Sequence, residues 1–293
     1  MLAKFVFPIT NRSPSLRRWL WKRLYQYLAG YGLSSWLFMN YGYERTGSLD
    51  KWLELETADE PDRYGIQLYH QVAAAIDLKG LDVLEVGSGR GGGASYVRRY
   101  LKPRSVTGVD FSPKAVEFCR QTYGIDGLSF MVGDAESLPF EDASFDAVIN
   151  IESSHCYGSV AAFLGQVKRV LRSDGHFLHA DLCPYADAHM LRRHLEESGL
   201  AILEAEDITA NVLRAMVLDS PRKVALIQSH IPGWLRKPFQ EFAGVQGVGA
   251  NELLRGGALV YMRHRLQKRD LSAWARRAVE IPRTKQPVIC RSS

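Results

Sequence analysis

The sequence predicts an open α/β fold built on a seven-stranded, mostly parallel sheet with helices on both faces. Three observations predict it. Short apolar runs alternate with amphipathic stretches from about residue 80 onward, the rhythm of repeated strand–helix units. The first run, LDVLEV, opens through the glycines of GSGRGGG into ASYVRRYL, so strand, turn and helix follow one another without a spacer. Successive runs stop abruptly at a carboxylate: Asp110, then Asp134, then Glu152.

Each element can be justified in turn. Pro61 starts a helix that continues through Gln67, Tyr69 and Ile76. LDVLEV is the first strand. SVTGVDFS is the second, ending in Asp110, and residues 113–123 are helical. LSFMVGDAESLPF contains the third strand, ending at Asp134, and SFDAVINIESSH contains the fourth. AAFLGQVKRVLRSDG reads as a helix stopped by Asp174-Gly175, and HFLHADLC as the fifth strand. A helix from Leu191 to Ser198, a sixth strand AILEAEDI and a seventh strand ALVYMRHRL complete the pattern. Residues 210–255 interrupt the last two strands and carry Pro221, Pro232 and Pro238; they read as a mainly helical cap. Parallel neighbours joined this way require right-handed crossovers.

The two ends differ from the body. Trp19, Leu20, Leu24, Tyr27 and Leu28 follow helical spacing, with Arg17, Arg18 and Lys22 interspersed, until Gly30 and Gly32 break the helix. Such a segment packs on the core, lies in an interface or covers a greasy site as a lid. Residues 1–45 carry seven Lys/Arg against one Glu, and residues 261–293 carry nine against Asp270 and Glu280, so the net charge of +5 hides an acidic body between basic ends. These ends serve solubility or attract the chain to an anionic membrane surface. No motif that reads nucleic acid accompanies them, so no nucleic-acid partner is expected. No spanning helix or signal peptide is expected either. Cys119, Cys156, Cys183 and Cys290 form no CxxC pair, which favours a reducing cytoplasm over a disulfide framework or a structural zinc site. The expected organisation is a lid segment over 1–60, a catalytic domain over 61–268 with its cap at about 210–255, and a basic tail over 269–293.

In open parallel sheets ligands bind beyond the carboxyl ends of the strands, where the strand order reverses. The run Gly87-Ser88-Gly89-Arg90-Gly91-Gly92 satisfies GxGxxG, which lets backbone approach a ligand closely at a helix N-terminus. Asp110 lies 21 residues after Gly89, about where a carboxylate grips ribose hydroxyls. To this point a nicotinamide dinucleotide and an adenosyl cofactor fit equally. Glu85 tips the balance, because ExGxGxG places a carboxylate that suits a cationic cofactor and repels a pyrophosphate. Gly133-Asp134-Ala135 adds an acceptor for an adenine amino group.

With LPFEDASFDAVI leading into the fourth strand, residues 80–185 resemble the class I S-adenosylmethionine-dependent methyltransferases, whose Rossmann-like fold has the sheet predicted here. The ordered pieces NYGYE, ADEPDR, IQLYHQVA, GRGGGASYV, GDAESLPF, IESSHCYG and EFAGVQG narrow the resemblance. They are similar to those of the lipid and polyketide O-methyltransferases typified by phthiotriol/phenolphthiotriol dimycocerosate methyltransferase and fatty-acid O-methyltransferase, over about residues 36–265. The basic tail departs from that pattern. The resemblance implies S-adenosyl-L-methionine as cofactor, with Gly87, Ser88, Gly89 and Gly91 facing its aminoacid part, Asp110 and Phe111 its ribose, and Asp134 and Ala135 its adenine. Tyr69, Glu85 and Asn150 complete that set. It further implies a hydrophobic small-molecule acceptor, a polyketide or a lipid of secondary metabolism.

Methyl transfer to an aliphatic hydroxyl needs a base, and His155 stands at the end of the fourth strand. An ordinary imidazole is largely neutral near pH 7. Glu152, three residues earlier, faces the same way if the chain turns at Ser153-Ser154; Glu241 in the cap is the rival partner. Against these stand bland alternatives: His155 and Ser153 as helix caps, Glu152 as a structural group. Tyr41, Tyr43, Tyr69, Cys156 and Trp234 are candidates to line the acceptor pocket or, equally, to pack the core. His176, His179, His189, His194 and His264 read as strand or helix surface, and His179 and Asp181 as alternating across a strand, so no metal is expected. The competing functions are C- or N-methylation of a quinone, sterol or amine, a catalytically silent cofactor-binding or membrane-associated partner, and a nicotinamide dehydrogenase.

Overall fold

The protein is described by a computed structural model for residues 36–47 and 53–269. The amphipathic helix expected after residue 15 therefore falls outside the described residues, as does the basic tail beyond residue 269.

Among the described residues the strands are β1 (Asp82–Val86), β2 (Ser105–Asp110), β3 (Leu128–Val132), β4 (Phe145–Ile151), β5 (Leu171–Pro184), β6 (Ala201–Asp207) and β7 (Leu259–Gln267). The helices are α1 (Arg63–Ala73), α2 (Gly92–Tyr96), α3 (Pro113–Thr122), α4 (Val160–Val170), α5 (Ala188–Glu197), α6 (Thr209–His230), α7 (Gly233–Phe242) and α8 (Ala250–Arg255). The strands form one sheet in the order β3-β2-β1-β4-β5-β7-β6. All neighbours are parallel except β7, which runs antiparallel to β5 and β6. The chain winds outward from β1 to β3 and then returns to β4 on the other side of β1. The reversal leaves a crevice between the carboxyl ends of β1 and β4.

Alternation along each strand builds two cores. Val83, Ala147, Ile149, Leu178 and Ala180 face one way, against Ile66, Leu68 and Val72 of α1, Val116 of α3 and Val212 and Met216 of α6. Leu84, Val148 and Phe177 face the other, against Phe163, Leu164 and Val167 of α4 and Leu195 of α5. Both faces being covered explains why these strands read as continuous apolar runs. A third cluster stands apart: Trp36 packs with Ile227, Ile231, Phe239, Ala243 and Val245 of the cap.

The helix starts follow local chemistry. Ser112 caps α3, its hydroxyl accepting from the Ala115 amide, with Pro113 next, and Ser159 caps α4 through the Ala162 amide at 3.1 Å. Two boundaries differ from the sequence expectation. Helix α4 stops at Val170 rather than at Asp174-Gly175, because buried Leu171 pairs with Phe145 and begins β5. Asp174 lies inside β5 with a left-handed φ of 62°. Strand β3 ends at Val132, two residues before Asp134, which lies in the following turn. His179 and His264 are buried at 1% and 5% exposure, not at the surface, because β5 and β7 are interior strands of the sheet.

Candidate active site

The loop after β1 is held by its own amides. Gly87 and Ser88 donate to the Val109 carbonyl at 2.8 and 3.0 Å, and Gly89 donates to Asp110 Oδ2 at 2.8 Å. Asp110 Oδ1 accepts from the Ser112 amide at 2.8 Å. Each oxygen retains a second lone pair, so the carboxylate can still accept from a diol. Gly87 has φ 79°, and a β-carbon there would collide with the Ser153 side chain. Gly93 is equally constrained, since a β-carbon would land in the Tyr69 ring. These glycines are required by close approach, not only by turn geometry.

Beneath the loop, Glu85 is 2% exposed and its Oε1 accepts from the Tyr69 hydroxyl at 2.5 Å. Burial pushes its pKa up to about 8, against the pull of that hydrogen bond. Asn150 is fully buried and donates to the Val86 carbonyl at 2.9 Å and to Ser153 Oγ at 2.7 Å. Asp134 Oδ1 accepts from the Glu136 amide at 3.0 Å.

At the end of β4 the chain turns as the i, i+3 reading required. Glu152 adopts φ 47°, a left-handed conformation unusual for a residue with a side chain, and Ser154–Cys156 form one 3-10 turn. Glu152 Oε1 accepts from the Tyr41 amide at 2.7 Å and the Tyr261 hydroxyl at 2.8 Å. Burial raises its carboxyl to about pH 7, partly offset by those two donors.

His155 is engaged by a carboxylate that the sequence reading did not pair with it. Asp181 Oδ1 lies 2.7 Å from His155 Nδ1, and Asp181 Oδ2 accepts from the His155 amide at 2.9 Å. Burial alone would lower the pKa of this imidazole, but the Asp181 charge overrides it and holds it well above the ordinary value. Asp181 thus holds the imidazole proton more tightly than the ordinary value implies. Asp181 is held below the usual carboxylate range, because the positive charge and hydrogen bond of His155 outweigh its burial. His179 and Asp181 do not alternate across β5. Two residues apart in a strand means the same face, and both meet Ser154 Oγ, at 3.1 and 2.5 Å.

A cavity runs between the loops that follow β1 to β4. It is lined by Gly87–Arg90 after β1, Asp110–Ser112 after β2, Gly133–Glu136 after β3, and Ile151–Ser153 with Cys156 and Tyr157 after β4. Trp36–Asn40, Phe239 and Phe242 close it from the opposite side with largely apolar side chains. Of the candidates, Tyr69, Gly87, Ser88, Gly89, Asp110, Phe111, Asp134, Ala135, Glu152 and Cys156 all line it. Glu85 and Asn150 lie under it, and Gly91 caps α2 with φ 78°. His155 is not a lining residue, although Glu152, Ser153 and Cys156 around it are. Tyr43 is core, 6% exposed, and Tyr41 is partly buried beside Glu152. Trp234 stands 77% exposed on α7, and Glu241 lies on α7 between the lining residues, outside the lining itself. Asp181 was weighed only as a metal ligand beside His179, and Tyr261, Phe239 and Phe242 were not singled out in the sequence. The period-two relation of Asp181 to His179 was the signal available for the first.

The donor set fits an adenosyl cofactor. Glu85 Oε2, Ser88 Oγ and Asn150 Oδ1 are buried without a hydrogen-bond partner among the described residues, and they gather where β1 and β4 end. Among the described residues no group of three or more His, Cys, Asp or Glu is arranged to hold a metal ion. None of their helices is long and apolar enough to cross a membrane.

Comparison with known proteins agrees with this geometry. A family model described as a methyltransferase domain matches residues 84–179. The chain is 42% identical over 250 residues to the phthiotriol/phenolphthiotriol dimycocerosates methyltransferase of Mycobacterium tuberculosis, spanning 85% of this chain and 92% of that one. It is 42% identical over 206 residues to the fatty-acid O-methyltransferase of Mycolicibacterium smegmatis, spanning 70% and 74%. A solved structure of geranyl diphosphate C-methyltransferase from Streptomyces coelicolor, in complex with S-adenosyl-L-homocysteine, superposes with a TM-score of 0.60 at 16% identity, over 86% and 97% of the chains, and shows the shared fold. The sheet order, the glycine cradle between β1 and β4, and 42% identity over most of both chains make this protein a member of the class I S-adenosylmethionine-dependent methyltransferases.

Proposed function

We propose that the protein transfers a methyl group from S-adenosyl-L-methionine to a hydroxyl of a lipid or polyketide, with His155 as general base and Asp181 as its partner. One observation carries the reading: Asp181 of β5 pairs with His155 in the turn after β4, between Ser153 and Cys156, which line a cavity that also carries the apolar side chains of Trp36, Phe239 and Phe242. The names of the two sequence relatives support a lipid-like acceptor.

The cofactor, when bound, supplies a methyl group on a sulfonium, ready for in-line displacement. The residues of this chain do the rest. Asp110 accepts from the ribose hydroxyls, Asp134 and Ala135 face the adenine, and Ser88, with Glu85 and Asn150 below it, faces the aminoacid portion. The apolar wall of Trp36, Phe38, Met39, Phe239 and Phe242 holds the acceptor chain and excludes water. Asp181 takes Nδ1–H of His155, so the acceptor's proton goes to Nε2. The pKa of His155 lies above the ordinary imidazole value, so turnover should climb as pH rises through that raised pKa. Glu152 reaches the same cavity and orients the Tyr41 segment over it.

The test is turnover of hydrophobic alcohols with labelled cofactor, read by mass spectrometry and by NMR of the product. His155→Ala should lower kcat by roughly 10²–10⁴-fold while cofactor affinity stays within about twofold. Unchanged turnover removes His155 from the chemistry. A product carrying the methyl on carbon or nitrogen overturns O-methylation.

A further inference from the structure

Behind His155 and its partner Asp181, which is 1% exposed, runs a line of buried polar groups that the proposed reaction does not use. Ser154 is 3% exposed, His179 1% and His264 5%. The antiparallel pairing of β5 with β7 sets His179 directly opposite His264, with Nδ1 of each ring 3.2 Å from the other. His179 Nε2 lies 3.1 Å from Ser154 Oγ, and Ser154 Oγ lies 2.5 Å from Asp181 Oδ2.

Protons in this line can be ordered by counting. Asp181 is an acceptor only, and it collects the Ser154 hydroxyl, the His155 amide, His155 Nδ1–H and the Leu182 amide. Ser154 has one proton, and the carboxylate takes it. Its oxygen must then accept from His179 Nε2–H. Burial holds His179 neutral, its pKa lowered to about 4, so its Nδ1 is bare. A bare Nδ1 needs a donor, which His264 Nδ1–H supplies. His264 is also neutral, lowered to about 3 by burial, by competition with adjacent His179 for a proton and by the positive charge of Arg263. Every bond therefore points the same way, toward Asp181.

We propose that Ser154, His179 and His264 are positioning residues, a one-way hydrogen-bond chain that fixes the Asp181 carboxylate and so presents His155 with its Nδ1 protonated. This rests on His155 being the base. His264 touches neither the cavity nor His155, and acts only through the tautomer it imposes on His179. Replacing it with an apolar ring lets His179 switch to the Nδ1–H form. The Ser154 hydroxyl then turns to the bare Nε2 of His179, and Asp181 loses one donor. A carboxylate with fewer donors attracts a proton on His155 more strongly. The titratable groups acting on His155 include Asp181, Cys156, Glu152 and His179, of which Cys156 and Glu152 lie outside the hydrogen-bond chain that this substitution alters.

The experiment compares His264→Phe and His264→Gln with the unsubstituted protein and with His155→Ala, each first checked for calorimetric binding of S-adenosyl-L-homocysteine. His264→Phe should lower kcat several-fold, leave cofactor binding within about twofold, and move the acid limb of the pH–rate profile upward. His264→Gln, whose side-chain amide can donate to His179 Nδ1, should restore most of the rate and return the limb. Two-dimensional ¹H–¹⁵N spectra of the unsubstituted protein should show His264 protonated on Nδ1 and His179 on Nε2. An unmoved limb in His264→Phe, or the opposite tautomers in the spectra, overturns the chain. If His155→Ala turns over normally, the base assignment falls. The spectra, together with the pKa of His155 read from them in His264→Phe, still decide the positioning claim.

Discussion

The two halves of the cavity are built by different means. On the β1–β3 side each functional group stands at the end of its own strand, and its bonds are short in sequence or between adjacent strands. Gly89 to Asp110, Ser112 to Asp110 and Glu136 to Asp134 are of this kind. On the β4–β7 side the groups are assembled from distant segments. Glu152 is held by Tyr41 and Tyr261, 111 and 109 residues away, and His155 by Asp181 on the neighbouring strand. The apolar wall comes from the segment before α1 and from α7. The difference teaches that a fixed ligand can be held by a local, periodic arrangement. The apolar half of the cavity needs elements brought over the sheet from far along the chain.

Substitutions can break or sharpen this contrast. Gly93→Ala should act most strongly, and on the cofactor side. The added carbon displaces the Tyr69 ring and strips Glu85 of its hydroxyl donor, at a combined cost of about 2–4 kcal/mol. Thermal unfolding and calorimetry should show lower stability and at least tenfold weaker cofactor binding. A normal melting temperature would mean that Tyr69 is not needed where it stands.

A smaller effect lies in the pH dependence of stability without cofactor. Burial raises the carboxyls of Glu85 and Glu152 to about 8 and about 7 from 4.5. The fold thus favours their protonated forms. Their contribution is complete below about pH 4.5 and is lost as pH rises through 7 to 8, with a slope of at most ~1.4 kcal/mol per pH unit for one group. His155 acts in the same direction, its contribution present below pH 6.5 and lost as pH rises through its elevated pKa. Buried His179 and His264, with lowered pKa values, act the opposite way below about pH 6.5, so the melting temperature should fall between pH 7 and 8, and Glu85→Gln should flatten part of that fall. An identical slope in Glu85→Gln would assign the effect to the acceptor side alone.

Trp234→Ala should be the mildest. With 77% of the side chain exposed, stability should change by less than about 0.5 kcal/mol. A higher KM for long-chain acceptors with unchanged kcat would bring Trp234 onto the acceptor's path; an unchanged KM would leave it a surface residue.

Much of the cofactor side was legible in the residues themselves. Gly87, Gly89, Asp110 and Asp134 could be located because strand ends are marked locally, by an apolar run, a glycine turn and a carboxylate. The acceptor side was legible only in part. His155 stood out by its place after β4, and the turn at Ser153-Ser154 matched the spacing, whereas its partner was sought at Glu152 or Glu241 and lies at Asp181. Burial on both faces likewise hid the roles of His179 and His264, whose strands look like any half-exposed pair until the sheet order is known.

The sequence by itself determined the alternation of strands and helices, the crevice between β1 and β4, and the glycines and carboxylates that line it. Those follow from hydrophobic period and turn residues, which act over a few positions. Only the tertiary structure decided which carboxylate meets His155, what holds Glu152 in a strained backbone, and which apolar side chains close the cavity. These depend on strand order and register between segments far apart in the chain, and no local preference encodes them.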